Sequence, residues 1–229
     1  MHYLFDGVSL QNKRSTNMDS ILVKQGRIGS TDALLAVVCD GVGSLQEGGI
    51  ASGTAIQMLS AWFGKQDQVE RIGLSLRDEI LEINSYINQK YNFNQIVTAS
   101  TISALLLVGE AYYIVHAGDS RIYSYDGTQL FLLTNDDTTD SGKLVSFLGR
   151  NKHEVFQYYE GNAKNKTFLV CSDGLYKKME MTFLLDIMKN ISTKSLKDAM
   201  TALPNYVINH GEKDNISLVI IKYRKLRIG

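Results

Sequence analysis

Ala33-Leu34-Leu35-Ala36-Val37-Val38-Cys39-Asp40-Gly41 decides the architecture. Seven apolar residues in succession read as a buried strand over 34–39, and the Asp-Gly that follows reads as the loop where it ends. The run is too short to cross a bilayer, which takes ~20 apolar residues. Its motif returns further along the chain. Thr167–Cys171 is a second apolar strand ending in Ser172-Asp173-Gly174, and a third strand over 112–116 ends in Gly118-Asp119-Ser120-Arg121. A fourth acidic residue, in Asp214-Asn215, stands directly before the apolar strand Ile216–Tyr223.

Further strands are read over 20–23, 103–108, Arg121–Tyr125 and 129–133 from their β-branched and aromatic content. Tyr125-Asp126-Gly127-Thr128 predicts a hairpin of type I′, whose positive φ suits Asp-Gly. Helices are expected over 49–63, 74–91, Met181–Lys189 and Leu196–Asn209. The second is the clearest, because Leu76, Ile80, Ile83 and Ile87 form one stripe at helical spacing. Pro204 is expected to break or restart the last helix. Strands come in runs rather than alternating with helices, so the fold class is α+β, with antiparallel sheet covered by helices.

Composition narrows the function. The 229 residues carry 24 Lys+Arg and 24 Asp+Glu, and this zero balance argues against a nucleic-acid partner. There is no polybasic run for an anionic membrane and no basic-apolar leader, so a cytoplasmic protein is expected. Hydrophobic residues at 44 % and charged residues at 21 % are ordinary globular usage, and with no linker or repeat the chain reads as one domain, 1–229. Cys39 and Cys171 each end an apolar run and read as buried, reduced thiols. His116 reads as a core histidine, while His2, His153 and His210 have no partner at ligand spacing. The glycine-rich 41–49 segment lacks the Gly-Lys-Ser/Thr of a nucleotide cradle, and Ser172 lacks the Gly-x-Ser-x-Gly context of a nucleophile.

Each Asp at a strand end, taken alone, is an ordinary turn residue. Four of them on one chain can share a rim. Carboxylates brought together resist ionisation, and a divalent cation removes that cost. All-oxygen ligands favour Mg²⁺ or Mn²⁺ over Zn²⁺. The glycine after Asp40 lets its carbonyl approach as a further ligand.

The ordered set of motifs resembles the metal-dependent protein phosphatases of the PP2C (PPM) family in their bacterial form, over nearly the whole chain. The set runs Arg14-Ser15-Thr16-Asn17-Met18-Asp19, Val38-Cys39-Asp40-Gly41-Val42-Gly43, Ser100-Thr101, Gly118-Asp119-Ser120-Arg121, Leu133-Thr134-Asn135-Asp136, Leu148-Gly149, Cys171-Ser172-Asp173-Gly174-Leu175 and Asp214-Asn215-Ile216-Ser217. The resemblance implies a PP2C-like β-sandwich of two antiparallel sheets flanked by helices. It also implies hydrolysis of phosphoserine and phosphothreonine in proteins, the targets of a Ser/Thr kinase. Two Mn²⁺ or Mg²⁺ ions are implied as cofactors, with a third in many bacterial members. By position, Asp40 is the carboxylate bridging the two central ions and Gly41 offers its carbonyl to one. Asp173 and Asp214 complete the other, and Asp119 with Asp173 resembles the third-metal site. Asp19 falls where the family orients the attacking water, and Arg14 where it grips the substrate phosphate.

The chain departs from the family at several points. Met18 stands where many members carry Glu or Gln, and a thioether is a poor ligand for a hard cation. Val42 replaces a His that eukaryotic members use as a candidate acid, so leaving-group protonation is expected from water. Ser44 replaces a loop glycine. Asp137 replaces the usual His, and the substrate-selecting flap shrinks to a loop over 137–147. Met18 and the short loop also fit the competing reading, a catalytically silent regulatory or interaction module. The retained carboxylates favour the enzyme.

Overall fold

The computed structural model describes residues 3–43, 47–150 and 155–224. Ser44, His2 and His153 lie outside the described residues. The chain folds as β1 (Tyr3–Leu10), β2 (Ser20–Ile28), β3 (Thr31–Cys39), α1 (Gly48–Phe63), α2 (Ile72–Lys90), a 3₁₀ turn (Asn92–Asn94), β4 (Ile102–Val108), β5 (Ala111–Ala117), β6 (Arg121–Tyr125), β7 (Leu130–Leu132), β8 (Gln157–Asn162), β9 (Thr167–Cys171), α3 (Asp173–Tyr176), α4 (Met181–Lys189), α5 (Leu196–Asn209) and β10 (Ile216–Tyr223). The strands form two antiparallel sheets of five, ordered β1-β10-β9-β6-β7 and β2-β3-β4-β5-β8.

The period-2 geometry of a strand explains why 34–39 is apolar throughout. Leu34, Ala36 and Val38 of β3 face the opposite sheet, where Ile122, Phe168, Val170, Val219 and Ile221 meet them. Leu35, Val37 and Cys39 point the other way, into a core shared with Leu59 of α1 and Leu76, Ile80, Ile83 and Ile87 of α2. A third core packs Leu169, Leu218 and Ile220 against Leu184, Met188 and Leu203 of the C-terminal helices. The layers are therefore helix, sheet, sheet, helix. Burying each large side chain in these cores contributes about 1.5–3 kcal/mol.

The sandwich, the helices and the α2 stripe agree with the expectations above. Two details differ. Pro204 does not break α5, which runs from Leu196 to Asn209. The missing hydrogen bond costs ~3 kcal/mol, and burial of Leu196, Met200, Leu203 and Val207 offsets it. The turn at Asp126 is a hairpin loop but not type I′. Gly127 has φ +104°, whereas Asp126 is not in the left-handed region. Asp126 Oδ1 instead accepts from Thr128 N–H (2.8 Å), Thr128 Oγ1 (2.7 Å) and Gln129 N–H (3.0 Å). β5 and β6 belong to different sheets, so the short link Gly118-Asp119-Ser120 crosses the sandwich.

Cys39 and Cys171 are buried and free, and burial pushes both thiols well above their ordinary pKa. No helix among the described residues is long and apolar enough to cross a membrane.

Candidate active site

Strand register brings the acidic motifs to one end of the sandwich. Ser20 pairs with Cys39, which sets Asp19 beside Asp40. Arg121 and Leu218 both pair with Cys171, so Asp119, Asp173 and Asp214 leave adjacent strands at the same edge. Asp40 is pinned on three sides. Its N–H donates to Thr101 Oγ1 (2.9 Å), its carbonyl accepts from Thr101 N–H (2.8 Å) and from Ser100 Oγ (3.0 Å), and Thr101 Oγ1 is 2.7 Å from Ser120 Oγ.

Gly41 is glycine for a steric reason. A Cβ there would lie 2.6 Å from the Met18 carbonyl and 2.7 Å from that of Gly48. Gly174 is equally constrained, since its Cβ would collide with the carbonyl of Asn215.

These residues line an open cavity of about 900 Å³, with Arg14, Met18, Asp40, Gly41, Asp119, Asp173, Lys177 and Asp214 among its walls. Its electrostatics are those of crowded carboxylates. Burial, then the charges of Asp19, Asp173 and Asp119, push the Asp40 carboxyl well above the usual range. Burial and then Asp173 raise Asp119 to about 6, against the pull of Lys177. Burial raises Asp19 to about 6; its Oδ2 accepts from Ser172 Oγ (2.9 Å), while its buried Oδ1 accepts no hydrogen bond among the described residues. A buried carboxylate oxygen without a donor, beside three more carboxylates, is a donor set suited to a hard cation and its water.

A model of the family described as protein phosphatase 2C matches residues 7–206. The chain belongs to the protein phosphatase 2C family. It is 28 % identical over 222 residues to the serine/threonine phosphatase stp of Listeria welshimeri, covering 85 % of this chain and 86 % of that protein. Among solved structures it resembles a bacterial serine phosphatase, with 19 % identity, a TM-score of 0.88, and coverage of 99 % of this chain and 100 % of the other. It also resembles the catalytic domain of the serine/threonine protein phosphatase PstP in complex with two manganese ions, at 22 % identity and a TM-score of 0.82 over 98 % and 99 % of the two chains. At these identities the structural matches establish the phosphatase fold.

Within that fold, basic side chains engage two of the carboxylates. Arg14 donates from Nε to Asp214 Oδ1 (2.7 Å) and from Nη2 to Asp214 Oδ2 (2.6 Å). Burial raises the Asp214 carboxyl, but the hydrogen bond and charge of Arg14 outweigh it and the net shift is downward. Lys177 pairs with Asp173 and stands 4.0 Å from Asp119. No three acidic, His or Cys side chains among the described residues are gathered as a metal-holding group. Ser172 spends its hydroxyl on Asp19, in keeping with its reading as a non-nucleophile.

The loop at 137–147 forms one wall through Gly142, Lys143, Leu144 and Phe147. Asp137 anchors it, donating N–H to the Gly118 carbonyl (2.7 Å) and accepting at Oδ1 from Gln157 Nε2 (2.6 Å). Behind it His116 is buried as expected, with Nδ1 2.9 Å from Ser103 Oγ and Nε2 3.1 Å from the carbonyls of Gly118 and Asn135.

Three contributors carry no role in the sequence reading. Thr101 clamps Asp40, as described. Asn215 donates from Nδ2 to the carbonyls of Gln11 (2.8 Å) and Thr16 (3.1 Å) and accepts from Met18 N–H (3.0 Å), so it fastens the loop that presents Arg14. Lys177 enters because one helical turn carries it back over Asp173. The Asp-Asn dipeptide before β10 and the i,i+4 spacing of Asp173 and Lys177 were the available signals.

Proposed function

We propose that this protein phosphatase 2C member is a metal-dependent hydrolase of phosphoserine and phosphothreonine in proteins, and that Asp40, the Gly41 carbonyl, Asp173 and Asp214 hold the metal pair. One observation carries the assignment: strand-end carboxylates from distant parts of the chain converge on one cavity, with Asp40 at their centre and forced well above its ordinary pKa. When bound, Mn²⁺ or Mg²⁺ supplies the missing positive charge and activates water near neutral pH.

The chain's own residues do the rest. Asp40 is placed to be shared, because Asp19, Asp173 and Asp119 all face it. Asp19 offers its unpartnered Oδ1 to the attacking water and so orients it. Arg14, exposed at the cavity mouth, presents a planar guanidinium to the phosphate oxygens as negative charge moves during the in-line displacement. Val42 offers no proton, so the leaving oxygen takes its proton from solvent.

Substrates on this reading are cytoplasmic phosphoproteins made by a Ser/Thr kinase. The cavity that would receive the phosphoryl group is open, with the short 137–147 loop as one wall. The test is hydrolysis of a phosphothreonine peptide and of p-nitrophenyl phosphate with and without Mn²⁺. Turnover that needs Mn²⁺ and disappears with chelator or with Asp40→Asn supports the assignment. A folded protein that turns over neither substrate at saturating Mn²⁺ refutes it.

A further inference from the structure

The helical turn after β9 carries a basic residue into the acidic rim. α3 starts at Asp173 and is a single turn; the Lys177 N–H bonds the Asp173 carbonyl (3.1 Å), and side chains four apart on a helix share a face. The Lys177 ammonium therefore folds back onto the Asp173 carboxylate and reaches to 4.0 Å from Asp119 Oδ2. The two carboxylates are 14 % and 16 % exposed, so Lys177 meets them at the cavity wall.

The neighbourhood leaves Lys177 this task. Asp136 is already neutralised by Arg121, which donates from Nε (2.9 Å) and Nη2 (2.8 Å) to its two oxygens. Asp214 is served by Arg14. Tyr176 donates its hydroxyl to the Asp119 carbonyl (2.9 Å) and carries the Arg121 guanidinium 3.7 Å over its ring, which fixes Asp119 relative to the turn bearing Lys177. Of the cavity-lining cations, Lys177 is the one placed against both Asp119 and Asp173.

We propose that Lys177 supplies, as a side chain, the positive charge between Asp119 and Asp173, so that this chain binds two divalent ions and Asp119 is not a metal ligand. The inference rests on the metal-dependent reading above, and it revises the third-metal role that the family resemblance implies for Asp119. An ammonium bonded to Asp173 and close to Asp119 occupies the space that a cation shared by those carboxylates needs, and it repels a dication approaching the same oxygens. It keeps a positive charge beside Asp119 and Asp173 whatever the metal supply and costs no coordination geometry.

The test is a count of Mn²⁺ bound per chain at saturation, by calorimetry and by metal analysis of the washed protein. It uses wild type, Lys177→Met, Lys177→Gln, Asp119→Asn and the double variant Lys177→Met/Asp119→Asn. Lys177 is half-exposed, so the single variants are expected to fold, with circular dichroism as the check. The expected counts are two for wild type and for Asp119→Asn, three for both Lys177 variants, and two again for the double variant. A count of three in wild type overturns the proposal and leaves the metal-dependent reading intact. So does a count that stays at two in both Lys177 variants. Binding of no Mn²⁺ by any form sinks the reading and this inference together.

Discussion

Arg14 and Asp214 lie 200 residues apart in sequence, yet they meet edge to edge through parallel hydrogen bonds of 2.7 and 2.6 Å. The residue proposed to grip phosphate and a residue proposed to hold metal are thus partners. A carboxylate engaged by arginine is a weaker ligand, and an arginine engaged by a carboxylate is a weaker clamp. On the proposed roles, substrate binding and metal binding are coupled through this pair.

Arg14→Ala is expected to lower kcat/KM on a phosphothreonine peptide by about 10²-fold, the usual cost of losing one charge-stabilising donor. The same variant is expected to tighten Mn²⁺ binding, because Asp214 loses its competitor. Arg14→Lys restores little, since an ammonium lacks the planar fork. Steady-state kinetics at several Mn²⁺ concentrations separate the effects; unchanged Mn²⁺ affinity in Arg14→Ala would refute the coupling.

Asp40→Asn is expected to raise the melting temperature of chelator-treated protein while abolishing Mn²⁺-dependent turnover. Burial and three acidic neighbours oppose the Asp40 charge, and an amide of nearly the same shape removes that opposition. Sites built for function commonly carry such a stability cost. Thermal melts in chelator check the first half of the claim; a lower melting temperature for the variant contradicts it.

Burial holds His116 below its ordinary 6.5, against weaker opposing pulls from Asp137 and the Asn135 and Gly118 carbonyls. The unfolded chain takes up a proton near 6.5 and the folded protein only at lower pH. The stability this histidine contributes is therefore present above about 6.5 and is lost as pH falls through that value. Asp19 and Asp119, both raised to about 6, act in the opposite sense. The informative measurement is thus the difference in melting temperature between wild type and His116→Gln at each pH. Wild type is expected to lose its advantage between pH ~7 and ~5; a difference flat across that range argues against the neutral buried imidazole.

Tyr176→Phe deletes the hydrogen bond to the Asp119 carbonyl but keeps the ring under Arg121. It is expected to cost about 0.5–1.5 kcal/mol in urea unfolding. Gly174→Ala, two residues earlier, forces a Cβ against the Asn215 carbonyl. It is expected to cost at least ~1–3 kcal/mol, the range for overpacking. A loss in Gly174→Ala below ~1 kcal/mol would mean that backbone contact at Gly174 is not the constraint.

Much of this molecule is legible in its sequence where local pattern and tertiary role agree. β3, β4, β9 and β10 are apolar because two layers cover them, and α2 declares its buried stripe. β1 and β8 escape such reading. β1 carries Asp6 and Gly7, and Gly7 lets Val219 and Ile21 approach closely. β8 is an edge strand whose last three residues, Glu160, Gly161 and Asn162, are exposed, so pairing to β5 rather than composition makes it a strand. At the site, Asp40, Asp119, Asp173 and Asp214 announce themselves because each stands at one end of an apolar strand. Thr101 and Asn215 do not, because what they bond to comes from remote segments. Lys177 acquires its meaning from Asp119, which β6 and β9 bring alongside.

The alternation of β3 has a consequence for how this protein can vary. Successive residues of that strand serve different cores, so inserting or deleting one residue within 34–39 would exchange the two sets and turn Asp40 to the opposite face. Substitutions of similar volume are tolerable there, but changes of length are not. The reactive end of the molecule is metered by a count of residues, and insertions in descendants of this chain should accumulate where no strand has to keep time.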